Sequence, residues 1–299
     1  MPAPTANPSP ALRRAGWLVA GVLVAAVLGA YANTLRAPFV YDDTLAIPEN
    51  PTIRKLWPLS AVLLPQIEGG VTVAGRPVLN LSLALNYALS GTDVWSYHVS
   101  NILIHAGASL LLFGIVRRTL ARREHTTATT TAAVMAEATA GGSDATTPGR
   151  LAFAIAALWA LHPLHTQAVT YTVQRAESLM GFFYLLTLYA FVRGLDEQAA
   201  GRQPRRWWAL SVGACALGMG TKEVMATAPL LVALYDRTFA AKSFVAAWRE
   251  RKGIHLALVA TWLVLAALLW STGGNRGGTV GLGVGLPLWA YPLTQFEAL

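Results

Sequence analysis

Two adjacent carboxylates, Asp42 and Asp43, stand just past the first long apolar segment of this 299-residue chain, in the stretch Arg36-Ala-Pro-Phe-Val-Tyr-Asp-Asp. Acidic groups at a membrane boundary are costly unless they have a partner or a task. A carboxylate there is suited to taking a proton from a hydroxyl. A small set of other polar residues shares that side of the chain's topology: Arg76, His98, Asn101, His105, His162, His165, Gln174, Arg175, Glu177, Lys222 and Glu223. Lys222 and Glu223 lie between two apolar runs with almost no loop, a costly place for charge unless it lines a polar cavity. Arg175 and Glu177 read either as a surface pair of little energetic weight or as part of the site. His98 and His105, near a helix end, read as packing residues. His162 and His165 are separated by Pro163 and Leu164, and no HExxH arrangement accompanies them. No metal or other cofactor is expected.

The elements that must hold these groups are membrane helices. The chain is 54% hydrophobic and 13% charged, outside the usual soluble range. The net charge of +8 sits on Arg and Lys at the ends of apolar segments. That pattern is a topology signal, not a nucleic-acid stripe, and no nucleic-acid partner is expected. The single cysteine, Cys215, lies in an apolar run and reads as inert packing. Spans need about 20 mostly apolar residues. Candidates are residues 15–32, 98–116, 150–163, 178–193, 207–221, 224–240 and 254–271, with the third bent or ended at Pro163. An eighth begins near Leu286 and the chain stops inside it, so residues 1–299 read as the N-terminal part of a longer membrane domain. Alternate loops are basic, which predicts a cytoplasmic N-terminus and an outward first loop over residues 33–97. Within that loop, residues 77–89 carry Leu79 and Leu83 on a helical stripe and are predicted to lie in the interface plane. Residues 125–149, rich in Thr, Ala and Gly, read as a flexible cytoplasmic linker. Ala30-Tyr31-Ala32 resembles a signal-peptide cleavage site, but a retained first helix is the expectation.

Six motifs occur in order: Phe39-Val-Tyr-Asp-Asp43, Gly75-Arg-Pro-Val-Leu79, His98-Val-Ser-Asn-Ile-Leu-Ile-His105, His162-Pro-Leu-His-Thr-Gln-Ala-Val169, Gln174-Arg-Ala-Glu177 and Thr221-Lys-Glu223. Together they resemble the membrane region of the transmembrane and tetratricopeptide-repeat O-mannosyltransferases and their bacterial relatives, within the GT-C glycosyltransferase superfamily. The resemblance covers roughly residues 15–299, with the Thr-rich linker as an insertion. It implies an all-α, polytopic GT-C-like bundle with its site facing the periplasm or the lumen of the endoplasmic reticulum. It also implies a polyprenyl or dolichyl phosphate mannose donor, a Ser or Thr hydroxyl of a protein as acceptor, and contact with membrane lipid. The catalytic carboxylate maps to Asp42 or Asp43. Arg175 and Lys222, with Arg76 as a third, are suited to the leaving lipid phosphate. His98, His162, His165, Glu177 and Glu223 are supporting residues. The chain contains no tetratricopeptide repeats, so nothing supports substrate recognition by repeats here. The rival readings are a membrane transporter and a non-catalytic scaffold. A transporter predicts charges at span centres and repeated halves, and neither pattern is evident.

Overall fold

The computed structural model describes residues 10–64, 73–134 and 147–272. Among the described residues the chain is all-helical, with no strand. The helices are α1 (Pro10–Tyr31), α2 (Asp42–Ala46), α3 (Leu59–Leu63), α4 (Pro77–Ser90), α5 (Trp95–Val134), α6 (Thr147–Ala160), α7 (Thr166–Thr170), α8 (Arg175–Ala199), α9 (Arg205–Met219), α10 (Ala228–Asp236), α11 (Phe244–Ala260) and α12 (Trp262–Ser271). Among the described residues, four stretches are long and apolar enough to cross a membrane: Gly16–Arg36, Trp95–Arg123, Thr172–Ala199 and Phe244–Ser271. A shorter apolar helix covers Pro148–Ala160. The eighth span expected from Leu286 lies outside the described residues.

Among the described residues, three apolar cores divide the work. The first joins α1, α5 and α6 through Leu23, Val27, Ile102, Ala106, Ala156 and Ala160. The second gathers Phe191, Cys215, Met219, Val232 and Leu258 from α8 to α11. The third lies in the first loop itself, where Ile47, Ile53, Val62, Leu79 and Leu83 close over Tyr97 and Val173. That third core corrects one expectation from sequence. The Leu79–Leu83 stripe of α4 is fully buried against protein instead of lying in a membrane interface. Burying each of these leucines is worth about 1.5–3 kcal/mol, so the loop is a packed platform.

α5 and α8 meet closely because glycine allows it. A Cβ at Gly107 would stand 2.9 Å from Phe182, and one at Gly114 would stand 2.6 Å from Tyr189. Glycines seven apart on one helix therefore receive aromatic knobs seven apart on the other, the small-residue contact that brings membrane helices together. α5 also runs on through residues 125–134, so the start of the expected linker is helical. That Thr- and Ala-rich stretch contains no Gly or Pro to break it. Residues 135–146 lie outside the described residues.

The chain turns at Pro163 as its missing N–H requires. α6 ends at Ala160, and Pro163–His165 forms a 3-10 turn with proline at its start. At the other end of the bundle, Asp236 is fully buried and takes Arg251 at 2.8 Å and His255 at 2.8 Å. Asp196 receives Arg118 at 3.1 Å and Arg122 at 2.5 Å. Several arginines that serve as topology signals in the sequence are thus also structural partners.

Candidate active site

The two carboxylates have opposite environments. Asp43 is 1% exposed, whereas Asp42 is exposed. Asp43 Oδ1 accepts the N–H of Val173 at 2.7 Å, and its Oδ2 accepts the N–H of Val40 at 3.1 Å. Burial pushes the Asp43 carboxyl above its usual range, while the backbone donors at Val40, Val173 and Thr172 pull the other way. Adjacent residues diverge in this way because both lie in the first turn of α2, a short helix whose inner side is the loop core. Asp42 is left with its side chain facing out, and its backbone N–H donates to the Tyr171 hydroxyl at 2.9 Å.

The turn that presents Asp42 is strained. Tyr41 adopts φ 46, ψ −119, and the Asp43 N–H donates back to the Val40 carbonyl at 3.0 Å. These dihedrals belong to the first central position of a type II′ turn, where glycine is usual. A bulky residue there costs on the order of 1–3 kcal/mol and persists only where its surroundings enforce it. Tyr41 is 87% exposed, and its ring meets the edge of Tyr171 with centroids 6.4 Å apart. Neither tyrosine is singled out by residue type or spacing. The positive φ left no local trace, and Tyr171 is joined to Asp42 only by folding.

Arg175 occupies an unexpected place. It is completely buried, with its guanidinium donating to Asn101 Oδ1 at 2.7 Å, Asn86 Oδ1 at 2.6 Å, and the carbonyls of Ser82 at 3.1 Å and Tyr97 at 2.9 Å. It ties α4, α5 and α8 together beneath the loop. Its donors, expected from the sequence to meet a donor phosphate, face protein oxygens in this structure. Asn101 extends the network by donating to the carbonyls of Val169 at 3.2 Å and Thr172 at 3.3 Å.

The remaining charges pair across elements. Lys222 contacts Glu177, and Arg76 lies 3.5 Å from Glu223. All four are part-exposed, and the Lys222–Glu177 contact joins the turn after α9 to the first turn of α8. The N-terminus of α4 docks on the end of α9, where the Val78 N–H donates to the Gly220 carbonyl at 3.1 Å. This contact brings Arg76 to the Thr221-Lys222-Glu223 turn.

The histidines split by depth. His98 and His105 are buried, and their Nε2 atoms meet the carbonyls of Ala37 at 3.0 Å and Ala160 at 2.8 Å. A carbonyl only accepts, so Nε2 carries the hydrogen in each. His162 Nδ1 accepts the Leu164 N–H at 3.3 Å and caps the Pro163 turn. His165 packs on Trp159 with centroids 4.4 Å apart; burial, and then His162, hold its pKa below the ordinary imidazole range. Among the described residues no group of three or more His, Cys, Asp or Glu is arranged to hold a metal.

Comparison with known proteins decides the kinship. The protein O-mannosyl-transferase TMTC2 of Mus musculus is 30% identical over 224 residues, 72% of this chain. The Drosophila melanogaster Tmtc2 protein O-mannosyl-transferase is 33% identical over 215 residues, 69% of this chain. The chain is a relative of the protein O-mannosyl-transferases. It spans 23% of the mouse relative and 20% of the fly one. The mouse protein O-mannosyl-transferase TMTC3 is 29% identical over 178 residues, 58% of this chain and 16% of that protein. No family model matches the chain, and no solved structure matches it. For an O-mannosyl-transferase relative, an exposed carboxylate on a strained turn over a helical bundle is the arrangement of interest.

Proposed function

We propose that this chain forms the catalytic end of a GT-C-like glycosyltransferase that moves a sugar, mannose by kinship, from a polyprenyl or dolichyl phosphate to a Ser or Thr hydroxyl of a protein. The observation that supports this reading most is the division of labour at Asp42 and Asp43. Asp43 is consumed by backbone N–H groups, and Asp42 is left exposed on a turn held from behind. In the reaction, Asp42 takes the acceptor's hydroxyl proton while the hydroxyl oxygen bonds to the sugar's anomeric carbon. The bond from that carbon to the phosphate oxygen breaks, and the lipid phosphate leaves with the electron pair. Lys222 and Arg76, part-exposed at the same end of the bundle, offset the charge that develops on the phosphate. Arg175 positions the platform and does not touch substrate. No nucleotide is needed, in keeping with the lack of a glycine-rich phosphate loop in the sequence. The site faces the outward side, by the alternation of basic loops.

The test is transfer from radiolabelled polyprenyl-phosphate mannose to Ser/Thr peptides by membranes holding the full-length protein, read by mass spectrometry. Mannosylated peptide from the parent and not from Asp42→Asn is expected. Transfer from Asp42→Asn at the parental rate would discard Asp42 as the base. Impermeant thiol labelling of Lys55→Cys and Arg202→Cys checks the sidedness, with only the former expected to react from outside.

A further inference from the structure

The end of the bundle opposite Asp42 carries a second cluster of charge. α8 runs from Arg175, beneath the loop, to Ala199. At about 1.5 Å per residue, its Glu197 stands about 33 Å along the helix from Arg175, close to the thickness of a bilayer's hydrocarbon core. Glu197 is buried and serves three guanidiniums. Arg202 Nε donates to its Oε2 at 2.5 Å, while Arg206 and Arg193 lie 3.7 and 3.8 Å from its Oε1, beyond hydrogen-bond reach. Beside it, Asp196 receives Arg118 and Arg122. Across these contacts five guanidiniums share two carboxylates, and three positive charges are left over.

Packing holds this surplus in place. A Cβ at Gly194 would collide with Trp208, so α9 starts hard against the end of α8. The Trp207 indole then carries Arg193 at 4.5 Å and Arg206 at 5.8 Å from its ring centre. Arg202 and Arg206 keep their side chains 62% and 75% exposed. The start of α9 adds to the imbalance. Arg205 and Arg206 open it, no acidic residue stands in its first turn, and no side chain caps it. Cations at the positive end of a helix dipole are destabilising, and an anion placed there relieves them. Leu210, one turn further along the same face as Arg206, is 41% exposed.

We propose that Arg202, Arg206 and Trp207 hold the phosphate of an anionic phospholipid, whose acyl chains lie along α9 over Leu210. Charge, depth and surroundings favour that occupant together. The phosphate oxygens supply the acceptors that the forked guanidiniums lack while they share Glu197. Trp and Arg at one level are the pairing found where lipid headgroups meet hydrocarbon. The exposed leucine beside them gives the acyl chains an apolar surface. The site lies a membrane's thickness from Asp42, so the lipid it holds is not a reactant in sugar transfer.

The experiment places the full-length protein in nanodiscs of phosphatidylcholine with a rising share of phosphatidylglycerol, and native mass spectrometry reads the lipid retained. The parent should retain phosphatidylglycerol in preference to phosphatidylcholine. Arg202→Gln with Arg206→Gln should raise the share needed for half-saturation about tenfold. Arg202→Lys with Arg206→Lys keeps the charge and should recover part of that loss, since an ammonium lacks the planar fork. Arg249→Gln with Lys252→Gln removes the same charge from exposed positions on α11, whose Arg251 reaches Gln198 of α8 at 3.3 Å. That pair should retain lipid as the parent does. Retention of the two lipids in their bulk ratio by the parent, or an equal loss in the two Gln pairs, would overturn the site in favour of a diffuse basic surface. Glycerol 3-phosphate that competes with phosphatidylglycerol at equal concentration would make this a site for a soluble phosphate ester and overturn the lipid assignment too.

Discussion

Asp43 accepts a hydrogen bond from the backbone N–H of Val173, 130 residues further along the chain, at 2.7 Å. This single contact fastens the first loop to the segment that opens α8 and frees Asp42 beside it. The two Asp→Asn variants should therefore fail differently. Asp42→Asn should fold normally and lose transfer by about 10²-fold or more. Asp43→Asn presents an amide N–H₂ where a carboxylate oxygen met a backbone donor, at about 1–3 kcal/mol in stability. Transfer assays alongside thermal unfolding in detergent separate the two, and the reverse pattern would exchange their roles.

Tyr41 is expected to trade stability for function. Tyr41→Gly relieves the positive φ, returning part of about 1–3 kcal/mol of strain against the entropy of a freer unfolded chain. The melting temperature should hold or rise, while transfer falls because the ring and the set of the turn at Asp42 are lost. A variant of parental activity would show that the strained ring serves only the fold.

Removing Arg175 should damage the protein before its chemistry. Arg175→Met strands the carboxamide oxygens of Asn86 and Asn101 and the carbonyls of Ser82 and Tyr97 in a buried site. Each orphaned acceptor costs about 1–3 kcal/mol, and the relieved desolvation of the buried guanidinium offsets part of the sum, so a net loss on the order of 3 kcal/mol is expected by thermal unfolding. Arg175→Lys should recover little, since an ammonium cannot reproduce the planar fork. A fully stable Arg175→Met with impaired transfer would return the residue to the reacting groups.

His165 supplies a pH dependence with a definite sign. Burial, then His162, lower its pKa below the usual imidazole value. The folded state thus binds fewer protons there than the unfolded state. Its stabilising contribution is present above the ordinary imidazole range and is lost as pH falls through the lowered value. Acidification should depress the melting temperature less in His165→Asn than in the parent. Parallel curves would remove His165 as a contributor.

What this sequence determines by itself is the helical, membrane-compatible class and the roster of polar residues at one end. Runs of apolar residues such as those in α1, α5 and α8 declare themselves by length and composition, and Pro163 ends a helix through a property of its own backbone. The motif order likewise needs no coordinates. Which of those polar residues are exposed and which are sealed was decided only by tertiary structure. Arg175, Lys222 and Arg76 look alike in sequence, each a cation beside an apolar run, yet the first is sealed by acceptors from α4 and α5 while the others reach part-exposed carboxylates. Asp42 and Asp43 are chemically identical neighbours. They differ because Val173 and the loop core lie on one side of α2 and solvent on the other. Leu79 and Leu83 show a helical stripe in any reading, but whether lipid or protein covers it depends on where Ile53 and Val62 come to rest. Burial and long-range hydrogen bonding are properties of the packed chain, and a residue's type and spacing do not carry them.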